Sequence, residues 1–388
     1  MTQTNSHNSK ISDIRSFPGK NTAALKKANL KTLIICPIGL GNFIMATPGL
    51  ALLSNVIGKK NLHLLALKPG IRQMGEESGW FGRVHYWNPD GESIFRGMAL
   101  LGRLRKHQFD LSFSLFPTSH WKFCLFSRII AAKQRIGFQY AYTSLPAFTQ
   151  TYSLLSRDNL HDAEQNLLLI QTYLQLPKTP PSAFQFTIPL QSLPQTIAHV
   201  LQKPFFVCHP GSSLQRGMEE KRLPVDKFCF FIEHIHRQFN LKCVLLGGPE
   251  EADLRHLIMK KSGSCILKVD TANLGEVGTC IKKSCFFIGN DSGLMHMAVA
   301  LEKKCIAFFG PSDESRTGPY YLANEPRDNT DDVSRGHLIL RQDKVFMDTS
   351  KKSINPRLRN VGNPGLKQLD VEKSWEKIRI FISEILKN

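Results

Sequence analysis

The chain has 388 residues and a mass of 43.8 kDa, with 42% hydrophobic and 21% charged residues. That is too much chain for one small binding module and the composition of a globular protein, neither disordered nor collagenous. Fifty Lys plus Arg against 32 Asp plus Glu leave a formal charge of +18, which favours an anionic counterpart: nucleic acid, a lipid surface or a phosphorylated substrate.

Residues 1–30 are rich in Ser, Asn, Thr and Lys and lack the apolar centre of a signal peptide, so they read as a flexible arm. Lys31-Thr-Leu-Ile-Ile-Cys36 is a continuous apolar run of the kind that forms a parallel strand covered on both faces. The stretch 33–58 carries no charge, but Pro37, Gly39, Gly41, Asn42, Pro48 and Gly49 interrupt it. It is therefore read as a strand, a glycine turn and a buried helix from about Thr47, not a membrane span. Strands are predicted at 62–67 and 111–115 and helices at 95–106 and 121–133, an alternation that implies parallel α/β construction.

Between Leu176 and Pro204 six prolines punctuate the chain and mark a domain boundary. The second half repeats the same grammar. Apolar runs at 205–208, 242–246, 285–288 and 305–309 each end in a glycine or polar turn, and ligands bind where such strands end. After Tyr320 the chain reads as polar and irregular to about Gly365. A last helix at 371–386 has apolar residues at helical spacing and should dock on a domain surface.

Nine cysteines lie mostly inside apolar runs without a C-x-x-C pair, which argues against zinc and for a reducing cytoplasm. No zinc-finger spacing, RNP-like aromatic box or long basic helix speaks for nucleic acid.

Four motifs carry chemistry. Ile288-Gly-Asn-Asp291-Ser292-Gly293, with His296 a turn further on, reads as a strand, a tight turn and a helix. Asp291 or Ser292 caps the helix and leaves its first N–H groups for a phosphate; the same pattern also suits a capped helix with a packed histidine. His209-Pro-Gly-Ser212-Ser213 is followed by Lys221-Arg-Leu-Pro224, small residues that let a ligand approach and a lysine suited to phosphate, or else a solvated charged loop. In Gly247-Gly-Pro-Glu250-Glu251 a carboxylate just past a strand can accept from a ribose, or start an ordinary helix. Gly39-Leu-Gly41-Asn42 through Thr47-Pro48 is a partial dinucleotide fingerprint. Ile44 stands at its third glycine position and Leu67-Lys68 ends the next strand, so a nicotinamide oxidoreductase is disfavoured.

In this order the motifs, with the 109–110 strand leading to Arg135-Ile-Gly-Phe138 and with Gly310-Pro311, resemble glycosyltransferase family 9, the ADP-heptose:lipopolysaccharide heptosyltransferases. The resemblance implies a GT-B architecture of two facing Rossmann-like domains. An acceptor-binding domain would span 31–185 and a nucleotide-sugar-binding domain 200–345, and an irregular segment and helix at 346–388 would pack back on the first domain. It also implies inverting transfer of heptose from an ADP-sugar to the lipopolysaccharide inner core, without metal or cofactor. The cysteine usage places the protein, expected as a monomer, in the cytoplasm, and its basic charge fits transient contact with the inner face of the cytoplasmic membrane.

By the same resemblance Ser212 and Ser213 line the donor phosphates and Lys221 neutralises charge on departing ADP. The Asp291-Ser292-Gly293 turn holds the diphosphate with His296 beside it, Glu250 or Glu251 reaches the nucleoside, and Gly39, Gly41 and His120 lie on the acceptor side. Two positions depart from the family pattern. Asn42 stands where the family has its aspartate base, and an amide cannot accept that proton; Leu223 replaces the tryptophan of the family's K-x-W-P. Another group must act as base, with His120, Glu76 and Glu77 as candidates, or the protein binds a sugar nucleotide without turning it over.

Overall fold

The computed structural model describes residues 29–140, 148–157, 159–178, 186–212, 221–320, 336–341 and 365–387. Two six-stranded, fully parallel sheets dominate it. The first is built from β1 (Thr32–Cys36), β2 (Leu62–Ala66), β3 (Arg83–Tyr86), β4 (Leu111–Ser114), β5 (Gln134–Gln139) and β6 (Tyr152–Leu155), in the order β3-β2-β1-β4-β5-β6. The second comprises β7 (Phe205–His209), β8 (Lys242–Leu245), β9 (Ile266–Leu267), β10 (Phe287–Asn290), β11 (Cys305–Phe308) and β12 (Leu338–Leu340), in the order β12-β11-β10-β7-β8-β9. Read from its other edge the second order repeats the first, so each sheet reverses direction once, between β1 and β4 and between β7 and β10. Such a reversal leaves a crevice beyond the carboxyl ends of the two strands.

Alternate residues of β1 feed opposite cores, as burial on both faces demands. Ile34 and Cys36 pack under α1 (Leu40–Ile57) and α5 (Asp162–Leu174), whereas Leu33 and Ile35 pack under α3 (Ile94–Lys106) and α4 (Trp121–Ile130). In the second unit Phe206, Cys208, Ile288 and Phe308 face α7 (Val225–Phe239), and Val207, Phe287 and Ala307 face α9 (Leu274–Lys283) and α10 (Gly293–Ala300). The first of these cores is continuous across the two units: α1 and α5 share one apolar cluster with α9 and α10, which closes the two units on each other.

The first helix begins at Leu40, well before the Thr47 start expected from the sequence. Pro48 lies inside it and has no N–H for the Ile44 carbonyl, but the Thr47 hydroxyl donates to that carbonyl at 2.8 Å, so the helix runs through the proline. By length and composition α1 could cross a membrane, yet its buried residues, Phe43 to Leu50 among them, pack into the shared core.

Two further expectations are corrected. The last helix, α12 (Val371–Lys387), does not pack back on the first unit. Its stripe of Trp375, Ile378, Phe381 and Ile382 completes the core over α7 and β12, with Trp375 stacked edge-on at 5.3 Å from His234, because the apolar face of α7 needs this cover. The region after Tyr320 is not wholly irregular: β12 adds a parallel edge strand to the second sheet. All nine cysteines are free, eight of them buried, and burial pushes the Cys36 and Cys305 thiols far up.

Candidate active site

The two crevices face each other. From the first unit comes the amino end of α1, with Gly39 at its cap; from the second comes the amino end of α10, capped by the Ser292 hydroxyl, which accepts from the Met295 N–H. They meet at contact distance: a Cβ on Gly41 would lie 2.5 Å from Cδ2 of His296, and one on Gly293 would lie 3.0 Å from Cβ of Leu40. The glycines at 41 and 293 are required by this approach. Neither helix has an acidic residue in its first turn, so two positive helix ends point into one small volume.

Asp291 lies at this focus with its side chain 6% exposed. Its Oδ2 pairs with Lys221 Nζ at 2.7 Å, and Oδ1 lies 4.0 Å from His296 Nε2. Burial would raise its pKa, but the Lys221 charge, the neighbouring His296 and the hydrogen bond from Lys221 prevail and hold the carboxyl below its ordinary range.

Lys221 reaches Asp291 because the loop carrying it is fixed from below. The fully buried Asn290 accepts from the Leu223 N–H at 3.0 Å and donates to the Pro210 carbonyl at 2.7 Å, tying together the turns after β7 and before α7. Arg222 donates to the Ser212 carbonyl at 2.6 Å. Leu223, in place of an aromatic residue, is buried in the core under α7. His209 ends β7 and shares a hydrogen bond of 2.9 Å with the Ser292 hydroxyl; burial, with Arg222 and Arg255 adding to it, lowers its pKa to about 3, so the ring is neutral.

The turn after β8 separates its two acids. Glu250 is exposed, whereas Glu251 is half-buried over Gly211, accepts from the Gly248 N–H at 2.7 Å and has Arg222 at 3.9 Å. Burial raises the Glu251 pKa, with Glu250 adding to the rise and the Gly248 N–H and two arginines opposing it.

The structure thus brings together Gly39, Gly41, Asn42, Lys221, Asp291, Ser292, Gly293 and His296 at one focus, with Ser212 and Glu251 along the adjoining rim of the second sheet. Ser212 is buried and Ser213 lies outside the described residues. His120 caps α4 at the carboxyl end of β4, the other wall of the first crevice, accepting from the Lys122 N–H. Glu76 and Glu77, the other candidate bases, are not brought to the site. They lie at the far end of α2 (Pro69–Glu77), where Glu76 pairs with Arg72 at 2.9 Å and Glu77 accepts from Gln191 at 2.8 Å.

His209 and Asn290, which lie inside the sequence motifs but carry no role there, are further site residues. The signal for Asn290 was available: a polar side chain ending an otherwise apolar strand needs partners. A second contact between the units joins Arg316 to Asp162 at 3.5 Å, both fully buried, and sets Tyr320 against His161 with ring centroids 4.7 Å apart and tilted by 54°. Among the described residues no group of three or more His, Cys, Asp or Glu side chains is placed to hold a metal ion.

Comparison with known proteins agrees with this geometry. Residues 98–326 match the model of glycosyltransferase family 9 (heptosyltransferase), and since that is more than half of the chain, the protein belongs to this family. It is therefore a glycosyltransferase-family protein of the heptosyltransferase type. No curated protein matches it by sequence. Among solved structures it is similar to the ADP-heptose LPS heptosyltransferase II of E. coli, with 16% identity, 92% of this chain and 99% of that chain covered and a TM-score of 0.64. A family 9 glycosyltransferase from Veillonella parvula gives 17%, 92%, 98% and 0.66. E. coli heptosyltransferase WaaC, solved with ADP, gives 14%, 90%, 99% and 0.63. These likenesses establish the GT-B fold.

Proposed function

We propose that the protein transfers a heptose or related sugar from an ADP-sugar to an inner-core lipopolysaccharide acceptor, with inversion and without a metal, as a cytoplasmic monomer beside the inner membrane. The observation that carries this reading is the convergence of two uncapped-by-acid helix ends on the Lys221–Asp291 pair. Such a focus of positive potential suits a diphosphate. Solved relatives hold ADP and ADP-2-deoxy-2-fluoro heptose, in keeping with an adenine donor.

In the proposed step the acceptor oxygen bonds to the anomeric carbon as the bond from that carbon to the diphosphate oxygen breaks. Lys221 and the amino end of α10 balance the charge that grows on ADP. Asn42 cannot take the acceptor's proton. We assign that proton to His296 in its neutral form, whose ring lies against Gly41 and whose Nε2 has Asp291 at 4.0 Å to stabilise the imidazolium the transfer creates, and keep His120 as the comparison.

Asn42 supports a second reading, a silent sugar-nucleotide-binding protein. Calorimetric titration with ADP-heptose beside ADP, UDP and NAD, followed by assay of transfer, separates the two. The first reading expects selective binding of the ADP-sugar, weakened by Lys221→Ala, together with turnover that falls in His296→Asn more than in His120→Asn. The second expects binding without turnover and activity restored by Asn42→Asp. Binding of UDP but of no adenine nucleotide would sink the choice of donor.

A further inference from the structure

We infer that the outer faces of α3 and α4 form a docking surface for an anionic lipid bilayer, with Phe95 and Trp121 as its inserting side chains. The two helices lie side by side over the same core on the face of the first sheet away from the second unit. Core demand leaves one side of each unpartnered, and that side is apolar. Ile94 is 65% exposed, Phe95 81%, Met98 53%, Trp121 53% and Leu125 44%, so five of the most exposed large apolar side chains in the described residues fall on two adjacent helices. Scattered singly they would need no explanation; grouped, they do.

The surroundings choose the partner. Arg96, Arg103, Arg105, Lys106, Lys122 and Arg128 lie on the same two helices, and neither helix contains a single Asp or Glu; among the described residues the one ion pair to these cations is Glu92 with Arg96 at 3.2 Å. Apolar side chains at one end of a helix face whose other end is cationic fit the headgroup and acyl boundary of an anionic membrane. A second copy of this chain fits poorly, because a two-fold interface would set this cationic face against itself.

Helix polarity then places the surface. Each helix starts at the carboxyl end of the strand before it, so Ile94, Phe95, Met98, Trp121 and Leu125, all within the first five residues of their helices, lie toward the crevice edge of the sheet, and Arg105, Lys106 and Arg128 lie toward the other end. Trp121 directly follows His120, at the wall of the first crevice. Docking by this face would hold a lipid-anchored acceptor's sugars at the crevice mouth, a consequence that rests on the proposed acceptor; the docking itself does not.

The test is sedimentation of the full chain with vesicles of equal parts phosphatidylcholine and phosphatidylglycerol, beside phosphatidylcholine alone. The wild-type protein is expected to pellet with the anionic vesicles only. Phe95→Ser combined with Met98→Ser should lower the binding constant about tenfold or more, as should Lys122→Glu with Arg128→Glu, with unchanged melting because these side chains are exposed. Transfer to an acylated acceptor in the same vesicles should fall in parallel, while transfer to a deacylated, water-soluble acceptor should not change. If no acceptor is glycosylated, the proposed activity fails and vesicle binding still decides the surface. Equal binding by wild type and both double variants would overturn the inference, as would self-association that these substitutions abolish without any vesicle binding.

Discussion

The His296 ring lies against the backbone of Gly41, so close that a methyl group on Gly41 would meet it at 2.5 Å. One residue belongs to the first unit and the other to the second, and their contact sets how far the crevices close. Gly41→Ala is therefore expected to push the helix ends apart and lower kcat/KM on the order of 100-fold, the cost of misplacing reacting groups by about 1 Å. Gly102→Ala, in α3 away from the site, is the control: a Cβ there meets nothing within 4 Å, and its rate should stay within a factor of two or so of wild type. Steady-state kinetics on both variants checks this.

The Lys221–Asp291 pair is well shielded, with side chains 18% and 6% exposed. Removing either partner alone strands a charge next to the helix end and should cost about 3 kcal/mol of stability. Lys221→Met combined with Asp291→Leu removes both charges and should recover most of that loss while leaving the donor unbound. Urea unfolding of the single and double variants gives the coupling; simple additivity would show that the two residues do not work as a pair.

Asn290→Leu keeps the size of the side chain and deletes both hydrogen bonds that fix the Lys221 loop. The buried Leu223 N–H and Pro210 carbonyl lose their partners, at a cost of about 2 kcal/mol, and Lys221 loses its set position. We expect a lower Tm and a raised KM for the donor with a smaller change in kcat, read from thermal melts and donor titrations.

Acid should unfold the protein early. Burial lowers the pKa of His63 and His85 to about 4, with neighbouring His107 and Arg83 adding to it, and that of His209 and His337 to about 3. Because the unfolded chain takes up these protons near pH 6.5 and the folded protein does not, stability is complete above that pH and is lost as pH falls toward 4. A Tm lower by about 10 °C at pH 5 than at pH 7.5 is expected. His63→Gln with His85→Gln, which removes the rings joined at 3.1 Å, should flatten the curve; an unchanged pH dependence would falsify this account.

Much of the fold could be read from residue order, because strands buried on both faces leave continuous apolar runs: Leu33 to Cys36 and Phe205 to Cys208 could hardly be anything else. The start of α1 could not, since Pro48 signals a break and only the three-dimensional position of the Thr47 hydroxyl removes it. The site divides the same way. Asp291, Ser292 and Lys221 were visible from turn chemistry and charge, whereas the exclusion of Glu77 depended on Gln191, remote in sequence. The seat of α12 depended on the apolar face of α7 being open, which spacing within α12 cannot reveal.

That seat has a bearing on how the chain could be divided. With α12 returning to the second sheet, every strand of the first sheet precedes residue 156 and every strand of the second follows residue 204, and among the described residues the backbone passes from one sheet to the other a single time. A gene cut within the codons for 179–185 would encode two polypeptides, each carrying a whole sheet and half of the shared core formed by α1, α5, α9 and α10. The large apolar face each would expose alone is what would drive them to reassemble, so the protein is suited to use as a split reporter whose signal requires both halves.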